Sequence, residues 1–384
     1  KVEGMHRIAD TFGPIPYVNY GSSSLYDALD LVYNKFFEEL DNAIEVLSNY
    51  VNGNVDAKLM SDYDCVYGGD VEKWVKFANT LRLRLAIRVS YANPTLAEAQ
   101  AKKSMENMFG FIESKAERAE LSHNSLEYHH PLHEIAYNFN SGDCRPGATI
   151  VAYLNGLNDS RISSYFTAAD DGEYHGVRIG ITTSNMSNYQ GNKISNLNIN
   201  RASTPVVWMT AAESFFLRAE GALRGWDMGG TAKSFYEQGV RMSFEENNAA
   251  GVDDYLADHT STPGAFADNV GSDNYTFSSR VTPAWDDNAG FEAQLERIIT
   301  QKWIANYPDG PEGWSEYRRT GYPEVIPVVR NSSNGTIDTQ LQVRRLPYTR
   351  DEKINNASGV ASGISALGGQ DTGGTKLWWD KKSR

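Results

Sequence analysis

Residues 67–94 read YGGDVEKWVKFANTLRLRLAIRVSYANP, and this stretch decides the fold class. Gly68 and Gly69 make a permissive turn. Asp70 follows where an N-cap belongs, with a carboxylate able to accept from amides that have no intrahelical partner. Trp74, Ala78, Leu81, Leu85 and Val89 recur at three- and four-residue steps, so they form one apolar stripe. Arg82, Arg84 and Arg88 crowd the C-terminal half, where the helix dipole favours cations. Asn93-Pro94 ends the run, because proline cannot continue a helix and restricts the residue before it. The spacing predicts an amphipathic helix of roughly six turns.

Moving outward, Leu29, Val32, Tyr33, Phe36, Leu40, Ile44 and Leu47 fall at helical spacing and predict a helix over 25–47. Residues 8–24, with Gly13-Pro14 and Pro16, read as loop. Another helix is expected from about Leu96 to Met108. Helical periodicity is then absent from 122 to 205, where Asn, Ser, Gly, Tyr and Asp dominate and YHGVRIGIT (174–182) suggests small hairpins. Helices resume over 208–224 and 231–247, and the small Gly239 beside Ala232, Tyr236 and Val240 suits a close helix pair. The Ala-x-x-x-Tyr step of the second echoes the tetratricopeptide pattern. Residues 249–289 read as loop. Phe291–Tyr307 reads as helix, and Pro311 suits the first turn of a short helix ending before Gly321. The tail over 357–374 is Gly-rich, and Trp378 and Trp379 are expected to dock on the core. The fold class expected is therefore mainly α, with tetratricopeptide-like helix pairs as scaffold and a long loop-rich insertion.

The 384 residues suffice for a large core, and 22% charged with 40% hydrophobic residues is a globular balance. A net charge of −13 argues against nucleic acid or an anionic lipid surface as partner. No apolar run approaches the length that crosses a bilayer. The two cysteines, Cys65 and Cys144, permit a disulfide without establishing one.

Motifs that carry covalent chemistry are missing. There is no nucleophile elbow, phosphate loop, zincin motif or dinucleotide fingerprint. His129-His130-Pro131-Leu132-His133-Glu134 resembles a metal cluster, but Pro131 interrupts the helix that would align His129 with His133. A surface loop is the better reading, so neither metal nor cofactor is expected. No local pattern singles out the spaced carboxylate pair that glycoside hydrolysis needs.

Aromatic residues divide into two sets. Trp74, Trp208, Trp303 and Trp314 lie in helical patterns and read as core, whereas Tyr128, Tyr137, Tyr165, Tyr174, Tyr189, Tyr275 and Trp285 lie in loops. Rings of the second kind cover the apolar face of a pyranose, while amides such as Asn138, Asn140 and Asn188 bond its hydroxyls. The candidate ligand-binding residues are Trp285, Tyr275, Tyr137, Asn138, Asn140 and Tyr128.

Four stretches in order carry a family resemblance. YGGD with KWVKFANTLRLRLAIR, MTAAESFFLRAEGALRGW (209–226), IITQKWIANYPDGPEGWSEYRRTGYP (298–323), and RRLPYTRDEKINN (344–356) with KLWWDK (376–381) resemble the SusD/RagB-like outer-membrane nutrient-binding lipoproteins. The resemblance implies one SusD-like unit, with a helical scaffold over 25–121, 206–248 and 290–323. Its ligand face would be 122–205 and 249–289, and a docking segment would occupy 324–384. It also implies a non-catalytic cell-surface lipoprotein that captures an oligosaccharide and passes it to a SusC-like TonB-dependent transporter, acting as a lid. A peptide receptor of the RagB kind is the alternative, and a glycan-degrading hydrolase is a more distant one. KVEGMHRIADTFGPIPY (1–17) resembles a piece from well inside family members. A signal peptide, a lipid-accepting cysteine that anchors the protein to the membrane, and an opening helical segment are therefore expected upstream. Arg318-Arg319 and Arg344-Arg345 fall in the shared blocks, so they are expected in structural ion pairs rather than on ligand.

Overall fold

The computed structural model describes residues 1–54, 56, 58–121, 130–139, 144–200 and 203–382. Its first helices are α1 (Val2–Phe12), α2 (Leu29–Gly53), α3 (Val71–Arg88) and α4 (Pro94–Glu106). Asp70 caps α3 by accepting from Lys73 N at 3.2 Å. The turn before it needs glycine: Gly69 has φ 83°, and a Cβ there would stand 2.7 Å from Leu59 O. Asn93 caps α4 by accepting from Leu96 N.

α3 is not amphipathic in its setting. Every residue from Phe77 to Arg88 is buried, the arginines included. The stripe of sequence found one face correctly, but α2, α4 and a later helix enclose the other faces too. Two further differences lie nearby. Residues expected as loop from 8 onward are helical as far as Phe12, and Gly13 at φ 93° makes the stop. Leu25 to Ala28 lie outside α2, which instead runs on past Leu47 to Gly53.

Beyond α4, strand β1 (Ala119–Leu121) pairs antiparallel with a later strand, and α5 (Ala148–Gly156) crosses the stretch expected to lack helix. Its sequence, ATIVAYLNG, is apolar nearly all round and rich in β-branched residues, so no amphipathic period announces it. Strands β2 (Phe166–Thr167) and β3 (Asn196–Leu197) form a two-stranded ribbon. β4 (Val206–Met209) is the partner of β1, so Trp208 belongs to a strand and not to the helix that follows.

That helix, α6 (Ala211–Leu223), is capped by Thr210 and packs on α7 (Ala232–Glu246). Gly239 permits the approach: a Cβ there would meet the Phe216 ring at 2.8 Å. Strands β5 (Ala265–Phe266) and β6 (Tyr275–Thr276) make a small hairpin. α8 (Phe291–Ala305) then packs on α6 and α7, and α9 (Gly310–Thr320) follows with Asp309 as its cap. The Gly-rich tail contains α10 (Ala357–Leu367), where Gly359 and Gly363 let the helix press against Ser24 O and the Tyr26 and Tyr348 rings. The fold is mainly α, built from tetratricopeptide-like helix pairs. Among the described residues no helix is long and apolar enough to cross a membrane.

The core has two main apolar clusters. One holds Leu83, Ala86 and Ile87 of α3 with Phe216, Tyr236, Trp285 and Ile298. The other holds Leu81, Leu85 and Val89 with Val32, Phe36 and Trp379. The charged face of α3 joins a buried ionic network. Arg84 grips Glu213 at 2.8 and 2.6 Å, Arg88 bonds Glu312 and Glu316, Lys302 reaches Glu312 at 3.1 Å, and Arg319 pairs with Glu220 and Glu316 at 2.6 Å. Burial alone would raise Glu220, Glu312 and Glu316, but the adjoining guanidinium and ammonium groups outweigh it. Arg88 and Lys302 hold Glu312 well below the usual range, and Arg319 with Arg224 pulls Glu220 down to about 2.

The arginine pairs of the shared blocks behave as structural groups. Arg345 pairs with Asp371 at 2.6 Å, and Arg344 with Asp380. Arg318 donates to Asp10 O at 2.6 Å and Arg344 O at 2.9 Å. Trp379 docks as expected, fully buried, with its indole N–H donated to Asp10 at 2.8 Å.

Candidate functional site

The β2–β3 ribbon pairs Phe166 with Leu197 and Thr167 with Asn196. Alternation sends Phe166 and Leu197 into the core and leaves Thr167 exposed and Asn196 half-buried. Against this ribbon lies a short segment begun by Pro131, whose chain widens into a π-helical turn over Glu134–Asn138. Such turns are frequent at functional sites. Here the turn sets His133 and Tyr137 side by side, with ring centroids 4.8 Å apart and planes 32° from parallel. Ala136 is buried, Asn196 Nδ2 donates to its carbonyl at 3.4 Å, and the Tyr137 hydroxyl donates to Leu197 O.

The result is an open cleft of about 360 Å³, lined by Tyr137, Arg145, Thr167, Asn192, Ile194 and Asn196, among others. Tyr137 is 39% exposed while its hydroxyl is fixed, so the ring is held in place with surface to offer. Asn192 and Thr167 are exposed beside it. A ring plus groups that both donate and accept is the division of labour for a polyhydroxylated ligand. No Asp or Glu is among the described residues that line this cleft. The carboxylate pair of a glycosidase is thus not found in the described lining.

The candidate residues from sequence separate. Tyr137 and Asn138 lie together on the π-helical turn, with Asn138 exposed and its amide donated to Glu134 at 2.6 Å. Tyr275 lines none of this cleft. It is half-buried beneath the Arg178 guanidinium, with its hydroxyl donated to Glu324 at 2.8 Å. Trp285, expected on the ligand face, is instead in the core at 7% exposure. Its ring packs on Tyr236 and its N–H is donated to Asp287 at 3.0 Å. A short loop segment carries it, but that segment folds back over α7. Tyr128 and Asn140 lie outside the described residues, as does His129. Among the described residues no group of His, Cys, Asp and Glu could hold a metal ion, and Cys65 and Cys144 are free thiols.

Arg145, Thr167, Asn192 and Asn196 were not singled out by sequence. The only signal was the Asn-rich composition of 188–200, which names no individual residue. Two more clefts lie on the scaffold. One, about 320 Å³, has Trp303, Trp314 and Tyr317 in its wall. Another, also about 320 Å³, is bounded by Trp208, Tyr307 and Glu246, whose carboxyl burial pushes up to about 7. Trp208, Trp303 and Trp314, read as core, are therefore half-buried walls.

A family model described as SusD-like, the SusD and RagB outer membrane lipoproteins, matches residues 1–380. No curated protein matches the chain. Among solved structures, a chitin-binding SusD homolog from Flavobacterium johnsoniae is 42% identical with a TM-score of 0.94, over 100% of this chain and 80% of its own. A SusD-like protein from Bacteroides thetaiotaomicron is 41% identical at TM-score 0.92, with the same coverage. A SusD homolog from Bacteroides uniformis is 42% identical at TM-score 0.90, over 98% of this chain and 79% of its own.

Proposed function

The chain belongs to the SusD and RagB family of outer-membrane lipoproteins, and from that premise we propose that it captures an oligosaccharide at the cell surface. The ligand is handed to a SusC-like TonB-dependent transporter, over which the protein acts as a lid. The observation that carries this reading is the Tyr137 cleft: a fixed, part-exposed ring among amides, with no carboxylate in the described lining. Binding without turnover is what such a lining supports, since import requires the sugar to be released intact. Because the Flavobacterium johnsoniae homolog binds chitin, N-acetylglucosamine oligomers are the first ligands to try.

Isothermal titration of the purified protein with chito-oligosaccharides, beside a peptide library, tests the reading. Saturable binding of sugar with no release of shorter products is expected. Binding of peptides alone would move the assignment to a peptide receptor, and turnover that scales with protein would make it an enzyme.

A further inference from the structure

The Tyr137 cleft does not end at the ribbon. Ala168 and Asn192 line it, while their neighbours Ala169 and Lys193 line a second cleft of about 470 Å³. Beyond the two strands the segments stay joined at the boundary, where Asp170 N, in a turn, donates to Asn192 O at 2.9 Å. Asn269 on a separate loop donates to Lys193 O at 3.3 Å and helps close the far wall. The second cleft offers no aromatic ring among its described lining residues, but much unspent polarity. Asp170, Asn188 and Lys193 are exposed, and among the described residues none of their side chains has a partner. Asp171, by contrast, is bonded to His175 at 2.8 Å, and that bond holds its carboxyl below the usual range.

We propose that the two clefts are subsites for one ligand, a linear oligosaccharide without acidic groups that stacks on Tyr137 and reaches Asn188, Lys193 and Asp170. This rests on the reading that the ribbon face binds oligosaccharide. Tyr137 lines one cleft and Asn188, Lys193 and Asp170 line the other, so a sugar short enough to stay in one cleft meets only one set of groups. The division of chemistry sets an order of importance. The ring at Tyr137 holds any length, and the polar cleft adds only to chains long enough to cross. Two carboxylates against one ammonium disfavour a polyuronate there.

Titration with chitobiose and chitohexaose separates the two claims. In the unaltered protein the hexamer is expected to bind about tenfold or more tighter than the dimer. An Asn188→Ala/Lys193→Ala variant should bring the hexamer down to the dimer's affinity and leave the dimer unchanged, with an unchanged melting curve because both residues are exposed. Tyr137→Ala should weaken both sugars, and a galacturonate hexamer should compete with neither. Equal affinity of dimer and hexamer, or a double variant that leaves the hexamer unchanged or weakens both alike, overturns the two-subsite proposal while the glycan reading stands. Failure of both sugars to bind overturns the glycan reading itself.

Discussion

Arg84 and Glu213, 129 positions apart, meet in a two-pronged ion pair at 2.8 and 2.6 Å with both side chains almost fully buried. The pair ties α3 to α6 and is shared with Lys302, 3.4 Å from the same carboxylate. Removing one partner strands a buried charge, which typically costs about 3–5 kcal/mol. Glu213→Ala should therefore lower unfolding free energy by that order in urea titration. A loss below about 1 kcal/mol would mean that water enters the network and screens it.

Glu246 gives the opposite sign. Its carboxyl is raised to about 7 from an ordinary value of 4.5 by burial, although Ala211 N donates to it at 2.9 Å. Between those values the fold keeps a proton that the unfolded chain has lost, so this residue's contribution falls as pH rises through that interval. Glu246→Gln keeps an acceptor without the charge. The variant should match the parent near about pH 4 and exceed it by on the order of 3 kcal/mol above about pH 8. Parallel stability curves for the two proteins across that range would refute the assignment.

Tyr137 should matter to ligand and not to fold. A stacking contact is worth on the order of 1 kcal/mol beyond burial, so Tyr137→Ala should weaken oligosaccharide binding about tenfold. Its melting temperature should stay close to that of the parent. Unchanged affinity in calorimetry would move the sugar elsewhere, with the Trp303–Trp314 cleft the next place to look.

Trp74 opens the apolar stripe of α3. Its ring meets Tyr67 and Phe77 edge-on at 5.2 and 5.7 Å, and its N–H is donated to Asp64 at 2.7 Å. It is only half-buried, so Trp74→Ala should cost less than the about 3–5 kcal/mol of a fully buried ring, yet still lower the melting temperature by several degrees. An identical melting curve would show that these contacts carry no weight.

The scaffold was legible because its signals are local. Asp70 marks the start of α3 by side-chain chemistry, and the stripes of α2 and α3 repeat at the helical period. α5 was hidden because a short helix that is apolar on nearly every face has no polar stripe to set a period. α10 was hidden because its glycines, poor helix formers, are there for close contact with Tyr26 and Tyr348. The candidate cleft was legible only through Tyr137, since Asn138 shares its turn but is not in the lining. Its other walls come from Thr167, Asn192 and Asn196, brought together by a strand pairing of two residues a side. Nothing local in the sequence marks so short a ribbon. Trp285 misled for a related reason: a loop residue is exposed only if its loop faces outward.

The bond from Trp379 to Asp10 spans 369 positions. Arg318 lies over the same indole, 4.8 Å from its centre, and donates to Asp10 O. α1 therefore has no finished seat until the stretch around Trp379 has emerged from the ribosome and crossed the whole chain. Closing so wide a loop is slow relative to forming helix pairs, though its entropy grows only with the logarithm of length. During synthesis α2–α4 and α6–α8 are free to assemble early, with the face that receives α1 open. The protein thus acquires its last contacts as a clasp, and a pulse-labelling experiment should find α1 the latest helix to gain amide protection.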